Sequence, residues 1–503
     1  MKNKLLRGTM VLLCSSLVLR CLGFVYQMLV VRYTGTEALG ILNMTMPFYM
    51  LFVVLATMGF PVAISKLIAE AVSCNRQDNV SQMMRTAFLF VGLLAVFCAA
   101  LAYYFMPFVF SLLHTEERVR QCFCVLIPGI VLVPLCSVMR GYFQGMQQMI
   151  YPAMSQIFEQ LIRVICGIVL IIFISPQDVL SFAMSLAIAA MIGEFSGCLF
   201  LWFCYRYSRK RQCNAKQKNK STWEVKWLNP LLSLGIPVTG TRLTSTIDMA
   251  IEASMVPSCL IAIGYNSSQA ASIYGQFSGV AISLLIIPTV LTSALGTALI
   301  PAISSAASNQ EKTMLQQYCQ QAISVTWIFS LPIIFILYLY GEELGKLLFH
   351  IDGLGAMMRW LSFGAIFLYL GQTVVGILQG LGSTRTVFQN NFFGSAAKLI
   401  GMYYCIKILG LGANGIAGGM ILGYGLQCLL NIAALNLRVS ICLPWKDVFL
   451  PILNSVMMVV HLQFWENLMP EENMIFLLVR LIFAAIGYLI IMMITGQMKR
   501  VLK

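Results

Sequence analysis

Apolar runs of about 20 residues recur along the whole chain, separated by short polar stretches. A run of this length is what an α-helix needs to cross the hydrocarbon core of a bilayer. Hydrophobic residues make up 59% of the 503 residues and charged residues only 10%, whereas a soluble domain carries roughly 25% charged residues. The chain is therefore expected to be a polytopic membrane protein with no sizeable soluble domain.

Hydropathy and turn residues predict fourteen spans in an all-α fold. Polar stretches such as residues 75–79, 175–178 and 266–268 separate the runs. The predicted spans are residues 9–31, 42–65, 84–110, 121–143, 152–174, 179–204, 231–262, 272–301, 321–340, 357–380, 387–408, 413–436, 447–464 and 474–495. An even number of spans places both chain ends on the same side of the membrane.

The longest break is a basic stretch from Arg206 to Lys226, with six predicted spans before it and eight after it. This stretch separates the two predicted lobes. The predicted organisation is an N-lobe of six spans at residues 1–205, a basic cytoplasmic linker at 206–230, a C-lobe of six spans at 231–437, and two further spans with a cytoplasmic C-terminus at 438–503.

Two stretches of the chain resemble each other at a constant separation of 235 residues. Residues 140–145 lead to Arg163 and residues 375–380 lead to Lys398, and both the last glycines of the stretches and the two cations are 235 residues apart. Because six spans return the chain to its starting side, two such copies have the same orientation, which is a parallel repeat. The sequence thus predicts two lobes with a cation at equivalent depth and a polar cavity between them.

Two weaker matches accompany this repeat. Gly40 and Gly275 are again 235 residues apart, and the segment around Pro61 aligns with the segment around Pro301 if a small gap is allowed. Chance matches are common among apolar residues, but the shared order favours a duplication. The last two spans then lie outside the repeat.

Lysine and arginine collect in the breaks that share one side of the membrane when the N-terminus is inside. The outer breaks are comparatively acidic, with paired glutamates at residues 116–117, 342–343 and 471–472. This sorting predicts a cell membrane protein with both termini in the cytoplasm. It also explains the net charge of +14 by contact with anionic inner-leaflet lipid, so membrane lipid is an expected partner and nucleic acid is not.

Enzyme chemistry is not expected. Most of the sixteen cysteines lie in apolar spans, and the three histidines lie in or beside outer breaks, so neither a metal site nor a buried histidine relay is predicted. The sequence has no phosphate-binding loop, no nucleophile elbow and no domain to hold a nucleotide. We expect no cofactor, and transport must be driven by an ion gradient, the membrane potential or consumption of the product.

Ionisable residues inside spans are the candidate functional residues, because a charge there costs roughly 2.5–3.5 kcal/mol on insertion scales. They are Arg20, Glu159, Arg163, Glu194, Arg242, Asp248, Glu252, Lys398 and Arg480. A guanidinium binds phosphate oxygens in a bidentate manner and stays charged at any relevant pH. We therefore predict that an anionic, phosphorylated substrate binds Arg20, Arg163, Arg242 and Lys398.

Each of these residues also has a structural interpretation. Glu159 and Arg163 are four residues apart on one helix and can neutralise each other without any function. Asp248 and Glu252 share a helix face and are candidates for Na⁺ or H⁺ coupling, with nearby threonines as oxygen ligands, unless cations such as Arg242 neutralise them. Arg480 and Glu194 are expected to serve packing or the membrane interface.

Three stretches resemble the stage V sporulation protein B group of the multidrug/oligosaccharidyl-lipid/polysaccharide (MOP) exporter superfamily. They are residues 59–70 (GFPVAISKLIAE), residues 139–146 (MRGYFQGM) and residues 152–163 with Glu159, Gln160 and Arg163. The first span, with Arg20 followed by Gly35 and Gly40, is similar to the same group. The resemblance runs essentially from end to end and lies in that superfamily's polysaccharide transporter branch.

The resemblance implies a fourteen-span fold of two six-helix lobes plus two helices, and alternating access to a lipid-linked glycan precursor. The sequence is similar to the lipid II flippases of the superfamily, whose cavity arginines are thought to hold the diphosphate. Arg20 is the position that matches one of these arginines. The alternatives are a cation-coupled multidrug antiporter of the same superfamily and a scaffold that recruits envelope synthases and transports nothing. A multidrug antiporter is expected to have acidic and aromatic residues in its cavity in place of arginine.

Overall fold

A computed structural model of the protein describes residues 2–74, 77–112, 116–174, 178–213, 227–439, 445–468 and 474–497. Within these ranges the fold is all-α, with 91% helix and no strand, as the sequence predicts. Most of the predicted basic linker, residues 214–226, lies outside the described residues. So do the lysines and arginine at 499–503.

The chain forms two compact units. The first contains Met1–Ser258 and Asn266–Gly275, and the second contains Cys259–Tyr265 and Gln276–Lys503. The helices that begin in the first unit are α1 Lys2–Thr57, α2 Phe60–Ser73, α3 Gln77–Leu112, α4 Glu117–Leu126, α5 Gly129–Gly145, α6 Ile150–Ile174, α7 Val179–Cys213, α8 Leu228–Ala262 and α9 Ser267–Gly275. The boundaries of the two lobes, as drawn from the sequence, stay a prediction.

The second unit continues with a chain of helices to the C-terminal region. They are α10 Ile282–Ile286, α11 Thr289–Ser308, α12 Lys312–Leu344, α13 Gly355–Gly380, α14 Thr384–Tyr403, α15 Ala413–Asn436, α16 Trp445–Leu468 and α17 Met474–Ile494. Three short π-helical segments join or extend them, at Gln276–Ala281, Gly345–Phe349 and Tyr404–Ile408.

Ten helices in the described ranges are long and apolar enough to cross a membrane, and the bent pair α4 and α5 adds an eleventh if it forms one span. The difference from fourteen arises at three places. The stretch Cys14–Ser73 counts once although two spans are predicted there, and neither α8 nor α14 is among the ten. Helix α8 carries Arg242, Asp248 and Glu252, and α14 carries Lys398. The count of fourteen stays a prediction.

Helix α1 is bent at Gly35, which has a φ of 75°. At about 1.5 Å per residue, its 56 residues would extend about 84 Å, far more than the roughly 30 Å hydrocarbon core. Gly35 divides this length inside the polar break that separates the first two predicted spans.

A second break corrects the predicted span at residues 42–65. Helix α1 ends at Thr57, and Met58 and Gly59 both have positive φ angles, 43° and 63°. A Cβ atom on Gly59 would lie 2.5 Å from the carbonyl oxygen of Gly235 in α8, so only glycine permits this approach. The apolar run continues through the break, which is why hydropathy alone does not reveal it.

The helix ends repeat at the separation of 235 residues. After α5, Gln147 has a φ of 57° and the backbone N–H of Gln148 donates to the carbonyl oxygen of Phe143 at 2.9 Å. After α13, Gly382 has a φ of 73° and the N–H of Ser383 donates to the carbonyl oxygen of Leu378 at 2.8 Å. Both helices therefore stop in the same Schellman motif.

The helix contacts repeat as well. A Cβ atom on Gly141 would lie 2.8 Å from the backbone of Pro61, and a Cβ atom on Gly376 would lie 2.6 Å from the backbone of Gly296. Positions 141 and 376 differ by 235, as do positions 61 and 296. The structure therefore matches Pro61 with Gly296, and the gapped alignment with Pro301 is wrong.

Two repeat-related glycines face each other across α1 and α9 in the first unit. A Cβ atom on Gly40 would collide with the carbonyl oxygen of Ala271, and a Cβ atom on Gly275 would collide with that of Thr36. Because positions 36 and 271 are themselves 235 apart, the two contacts are reciprocal, as in an interface formed about a two-fold axis. Small residues permit this close crossing of membrane helices. Thr36 and Ser272 add a hydrogen bond of 2.7 Å between their hydroxyls.

Candidate functional site

A network of charged side chains joins α5 and α6 in the first unit. Nη2 of Arg140 donates to Oε2 of Glu159 at 2.8 Å, and Nη2 of Arg163 donates to Oε1 of the same carboxylate at 2.9 Å. Arg163 also donates to Oε1 of Gln160 at 3.2 Å. The two arginine side chains and the glutamate are 18–25% exposed, so the three charges are largely withdrawn from solvent.

Glu194 of α7 extends this network. Its Oε2 accepts a hydrogen bond from the Tyr49 hydroxyl of α1 at 2.7 Å, and its carboxylate interacts electrostatically with Arg163 and Arg140. With both carboxylates ionised, the two arginines and two glutamates sum to zero charge. Glu194 was expected to serve packing or the interface, and the structure places it inside the network that links α1, α5, α6 and α7.

Arg140 is the member that sequence reasoning missed, because its position near the end of a span placed it among the inner-side cations. Arg140 and Glu159 are 19 residues apart, which is not a helical repeat. The short turn after α5, with Gln147 at positive φ, reverses the chain and brings the two side chains together. The repeated stretch 140–145 was the available signal, since it marked this helix end as special.

A cavity of about 210 Å³, lined by polar and apolar residues, lies beside Arg163. Its lining residues are Gly23, Tyr26, Gln27, Val30, Leu39, Leu42, Asn43, Met46, Gln160, Arg163, Leu186 and Ala190. Nε of Arg163 and the hydroxyl of Tyr26 are buried without a hydrogen-bond partner in the described part of the chain. Both groups are donors that a hydrogen-bond acceptor, such as an anionic oxygen, would satisfy.

Arg20 lies on the face of α1 that lines this cavity. Gly23 and Gln27 follow it at positions i+3 and i+7, which share a helix face. A Cβ atom on Gly23 would lie 3.8 Å from Nε2 of Gln160, three residues before Arg163. Arg20 itself is exposed. The structure thus places two of the predicted substrate-binding arginines on neighbouring faces of α1 and α6.

The third predicted arginine, Arg242, is exposed on α8, and Asp248 and Glu252 lie farther along the same helix. Both acids are partly buried, and Glu252 interacts electrostatically with the buried Tyr274 of α9. Another face of α8, which includes Ile247 and Met255, lines an apolar cavity of about 400 Å³. Asp248 and Glu252 are not among the residues that line this cavity.

The threonine hydroxyls of α8 bond mainly to their own helix. Oγ1 of Thr239, Thr244 and Thr246 donates to the carbonyl oxygen four residues earlier, at 2.8, 3.0 and 2.9 Å. Thr241 donates three residues back at 2.8 Å. Their hydroxyl hydrogens are thereby used, while the oxygen lone pairs stay directed away from the backbone and can still ligate a cation.

Lys398 belongs to the second unit and is only 9% exposed. A Cβ atom on Gly423 of α15 would collide with Cβ of Lys398, and a Cβ atom on Gly193 of α7 would lie 3.0 Å from Cβ of Arg163. Each of the two repeat-related cations therefore packs against a glycine of a neighbouring helix. They differ in their local acid, because Gly394 takes the place of Glu159.

The last two helices are attached to α12 by polar contacts. Ser324 bonds Asp447 of α16 at 3.1 Å, and the Tyr488 hydroxyl of α17 donates to the carbonyl oxygen of Ile328 at 2.6 Å. Arg480 of α17 is 7% exposed, in keeping with the packing role predicted for it. No group of three or more His, Cys, Asp or Glu that could hold a metal occurs among the described residues.

The arrangement of helices is that of the MOP superfamily of transporters. The chain superposes on a lipid II flippase MurJ in its inward closed conformation with a TM-score of 0.71 and 16% identity, covering 96% of this chain and 98% of that one. It superposes on an inward-facing MATE family transporter of the MOP superfamily with a TM-score of 0.70 and 14% identity, covering 84% and 94%. The protein is thus a multi-pass membrane protein with a transporter fold.

The chain belongs to the family of polysaccharide biosynthesis proteins, which matches residues 5–307, and the MatE family matches residues 245–404. It is 27% identical to stage V sporulation protein B of Bacillus subtilis (strain 168), over 89% of this chain and 86% of that protein. It is 26% identical to the lipid II flippase MurJ of the same organism, over 84% and 81%. These findings confirm the resemblance, and because such relatives are transporters and flippases, the chain is not an enzyme.

Proposed function

We propose that the protein moves a lipid-linked polyprenyl diphosphate glycan or peptidoglycan precursor across the cell membrane by alternating access. The observation that carries this proposal is Arg20, an exposed arginine in the first predicted span, within the apolar stretch Cys14–Ser73. An arginine at such a position must face water or an anion, because facing lipid is too costly. A diphosphate offers the paired oxygens that a guanidinium binds best.

The cavity beside Arg163 supports the same substrate. Arg20, Gly23 and Gln27 follow one face of α1, and the buried donors of Tyr26 and Arg163 lack an acceptor within the described residues. The remaining cations of the predicted set are Arg242 in the first unit and Lys398 in the second. The polyprenyl chain stays in the bilayer while the headgroup crosses.

The named relatives support a role in building cell wall or spore cortex, since one is a sporulation protein and another a lipid II flippase. Resetting the transporter requires energy, and the chain carries no nucleotide-binding motif. We propose that Na⁺ or H⁺ binding near Asp248 and Glu252 supplies it.

Reconstitution tests the proposal. The full chain is placed in liposomes that contain a fluorescent polyprenyl diphosphate disaccharide, and translocation is followed by an impermeant quencher, with and without a Na⁺ or pH gradient. Arg20→Ala removes a charge-assisted phosphate contact worth roughly 1.5–3 kcal/mol, so we expect the rate to fall at least about tenfold. Arg20→Lys should recover part of the rate.

Arg120→Ala is the matched control, because Arg120 is 45% exposed at the start of α4 and paired with Glu117 rather than located in the proposed site. It should translocate like the wild type. Equal rates in Arg20→Ala and the wild type would exclude the anionic site. Gradient-driven export of a cationic dye without translocation of the lipid would instead establish the antiporter, and inactivity towards both would favour the scaffold.

A further inference from the structure

A second cavity, of about 270 Å³, lies within the second unit between α11, α13, α14 and α15. Its polar wall consists of Gln372, Gln379, Asn391, Tyr424 and Gln427. The other lining residues are Gly296, Phe367, Leu368, Gly371, Val375, Gly376 and Cys428. None of these twelve residues is charged, so the cavity suits a neutral polar ligand and not a phosphate or a metal ion. We call it the amide pocket.

The amide pocket occupies the place that the charged network fills in the first unit. Val375 stands 235 residues after Arg140, and Gly394 stands 235 residues after Glu159. A Cβ atom on Gly394 would lie 2.7 Å from Cβ of Gln427, whereas in the first unit a Cβ atom on Gly197 would lie 3.1 Å from Cβ of Glu159. Loss of the two long charged side chains leaves space, and an amide from the next helix faces it.

The amides are held in fixed positions. Nε2 of Gln427 donates to Oδ1 of Asn391 at 2.5 Å, and Oγ1 of Thr292 donates to Oε1 of Gln372 at 3.1 Å. Each of these bonds uses only one of the two polar groups of an amide. The second groups comprise the amide nitrogens of Asn391 and Gln372 and the amide oxygen of Gln427, so the pocket offers both donors and an acceptor.

We propose that the amide pocket binds one sugar ring of the translocated glycan. A sugar presents hydroxyl or acetamido groups that donate and accept at once, and side-chain amides are the neutral partners that do the same. Phe367 and Tyr424 supply apolar faces against which a ring can lie. The volume is below the roughly 300–1,000 Å³ of sites for drug-sized ligands, which fits a single ring and not a whole oligosaccharide.

This inference rests on the proposed function and deepens it, because it separates recognition of the sugar from recognition of the diphosphate. Gln427→Leu and Gln372→Leu keep the side-chain size and remove the amide. Gln389→Leu is the matched control, since Gln389 is exposed on α14 outside the pocket lining. Gln427→Met serves as a second, more flexible replacement, and all variants are compared with the wild type in thermal midpoint.

Two lipid probes distinguish the possibilities in the reconstituted full chain: a fluorescent polyprenyl diphosphate disaccharide and a polyprenyl diphosphate with the same fluorophore but no sugar. We expect the pocket variants to translocate the disaccharide lipid about tenfold more slowly and the sugar-free lipid within twofold of the wild type. The control should match the wild type with both. Equal losses for both probes, or no loss, would overturn the proposal.

A binding measurement keeps the amide pocket testable if the wild type translocates neither probe, a result that would refute the proposed function alone. Equilibrium dialysis then compares a soluble N-acetylated disaccharide with inorganic pyrophosphate on the detergent-purified full chain. Binding of the disaccharide that weakens about tenfold in Gln427→Leu, with pyrophosphate binding unchanged, supports a sugar site. Absence of disaccharide binding, or equal binding by variant and wild type, refutes it.

Discussion

Glu159 in the first unit and Gly394 in the second stand 235 residues apart on equivalent helices, yet their surroundings are opposite in character. Glu159 accepts hydrogen bonds from Arg140 and Arg163, and a Cβ atom on Gly197 would lie 3.1 Å from its Cβ. Gly394 contacts Gln427, and the space beside it is the uncharged amide pocket. The helices, their ends and their glycine contacts repeat, while the polar side chains between them do not.

The difference shows which part of a duplicated transporter is free to change. Close helix crossings at Gly141 and Gly376 involve backbone atoms, so a larger residue at either position forces two helices apart. The bonds of Arg140, Arg163 and Gln427 join side chains only, so these residues can be exchanged for a different polar set without a change in the backbone. The helix contacts therefore stay the same while the polar side chains between the helices differ between the units.

The largest effect is expected where charge is removed from the first unit. Glu159→Gln leaves two largely buried arginines without their shared carboxylate, and we expect a loss of about 3 kcal/mol in the free energy of unfolding. SDS titration in mixed micelles measures it. The double variant Arg140→Val, Glu159→Ala removes one positive and one negative charge together. Its free energy of unfolding should fall by less than that of Glu159→Gln alone. If Glu159→Gln lowers the free energy of unfolding by less than about 0.5 kcal/mol, the network contributes no more than an exposed salt bridge does.

The repeated glycine contacts should be equally sensitive in both units. Gly141→Ala and Gly376→Ala each place a Cβ atom within 2.8 Å of partner backbone, and each should cost about 1–3 kcal/mol in the same titration. Gly240→Ala in α8 is the control, because apart from the local backbone of α8 no atom of the described residues lies within 4 Å of its added Cβ. There the better helix propensity should stabilise by up to about 1 kcal/mol. A large loss at only one of the two contact glycines would break the equivalence of the units.

Much of the fold was readable from the sequence, because apolar runs and polar breaks record the membrane directly. The predicted span 357–380 ends where α13 ends, and the predicted span 121–143 ends two residues before the last residue of α5, Gly145. The break at Gly59 escaped notice, because its cause is the approach of Gly235 from a distant helix. No local pattern encodes that contact.

The candidate site was only partly readable. A charge inside a span is conspicuous in any sequence, which is how Arg20, Arg163 and Lys398 were found. The bond between Arg140 and Glu159 crosses two helices at a separation that has no helical period, and only the turn between them explains it. The amide pocket was invisible for a different reason. Uncharged amides are common in breaks and helices alike, and their convergence depends on packing.

The smallest expected effect concerns the helix stops. Gln147 and Gly382 occupy equivalent positive-φ positions, but only glycine adopts this conformation without a steric penalty. Gln147→Gly should therefore stabilise the first unit by about 0.5–1 kcal/mol, and Gly382→Gln should destabilise the second by a similar amount. Both positions are exposed, and nothing lies within 4 Å of a Cβ on Gly382, so backbone conformation alone sets the sign. SDS titration of each single variant and of the exchange variant with both changes measures it. If the free energy of unfolding of the exchange variant stays close to that of the wild type, the two turns are energetically equivalent. If it changes by more than about 0.5 kcal/mol, Gln147 makes a contribution of its own to the turn between Arg140 and Glu159.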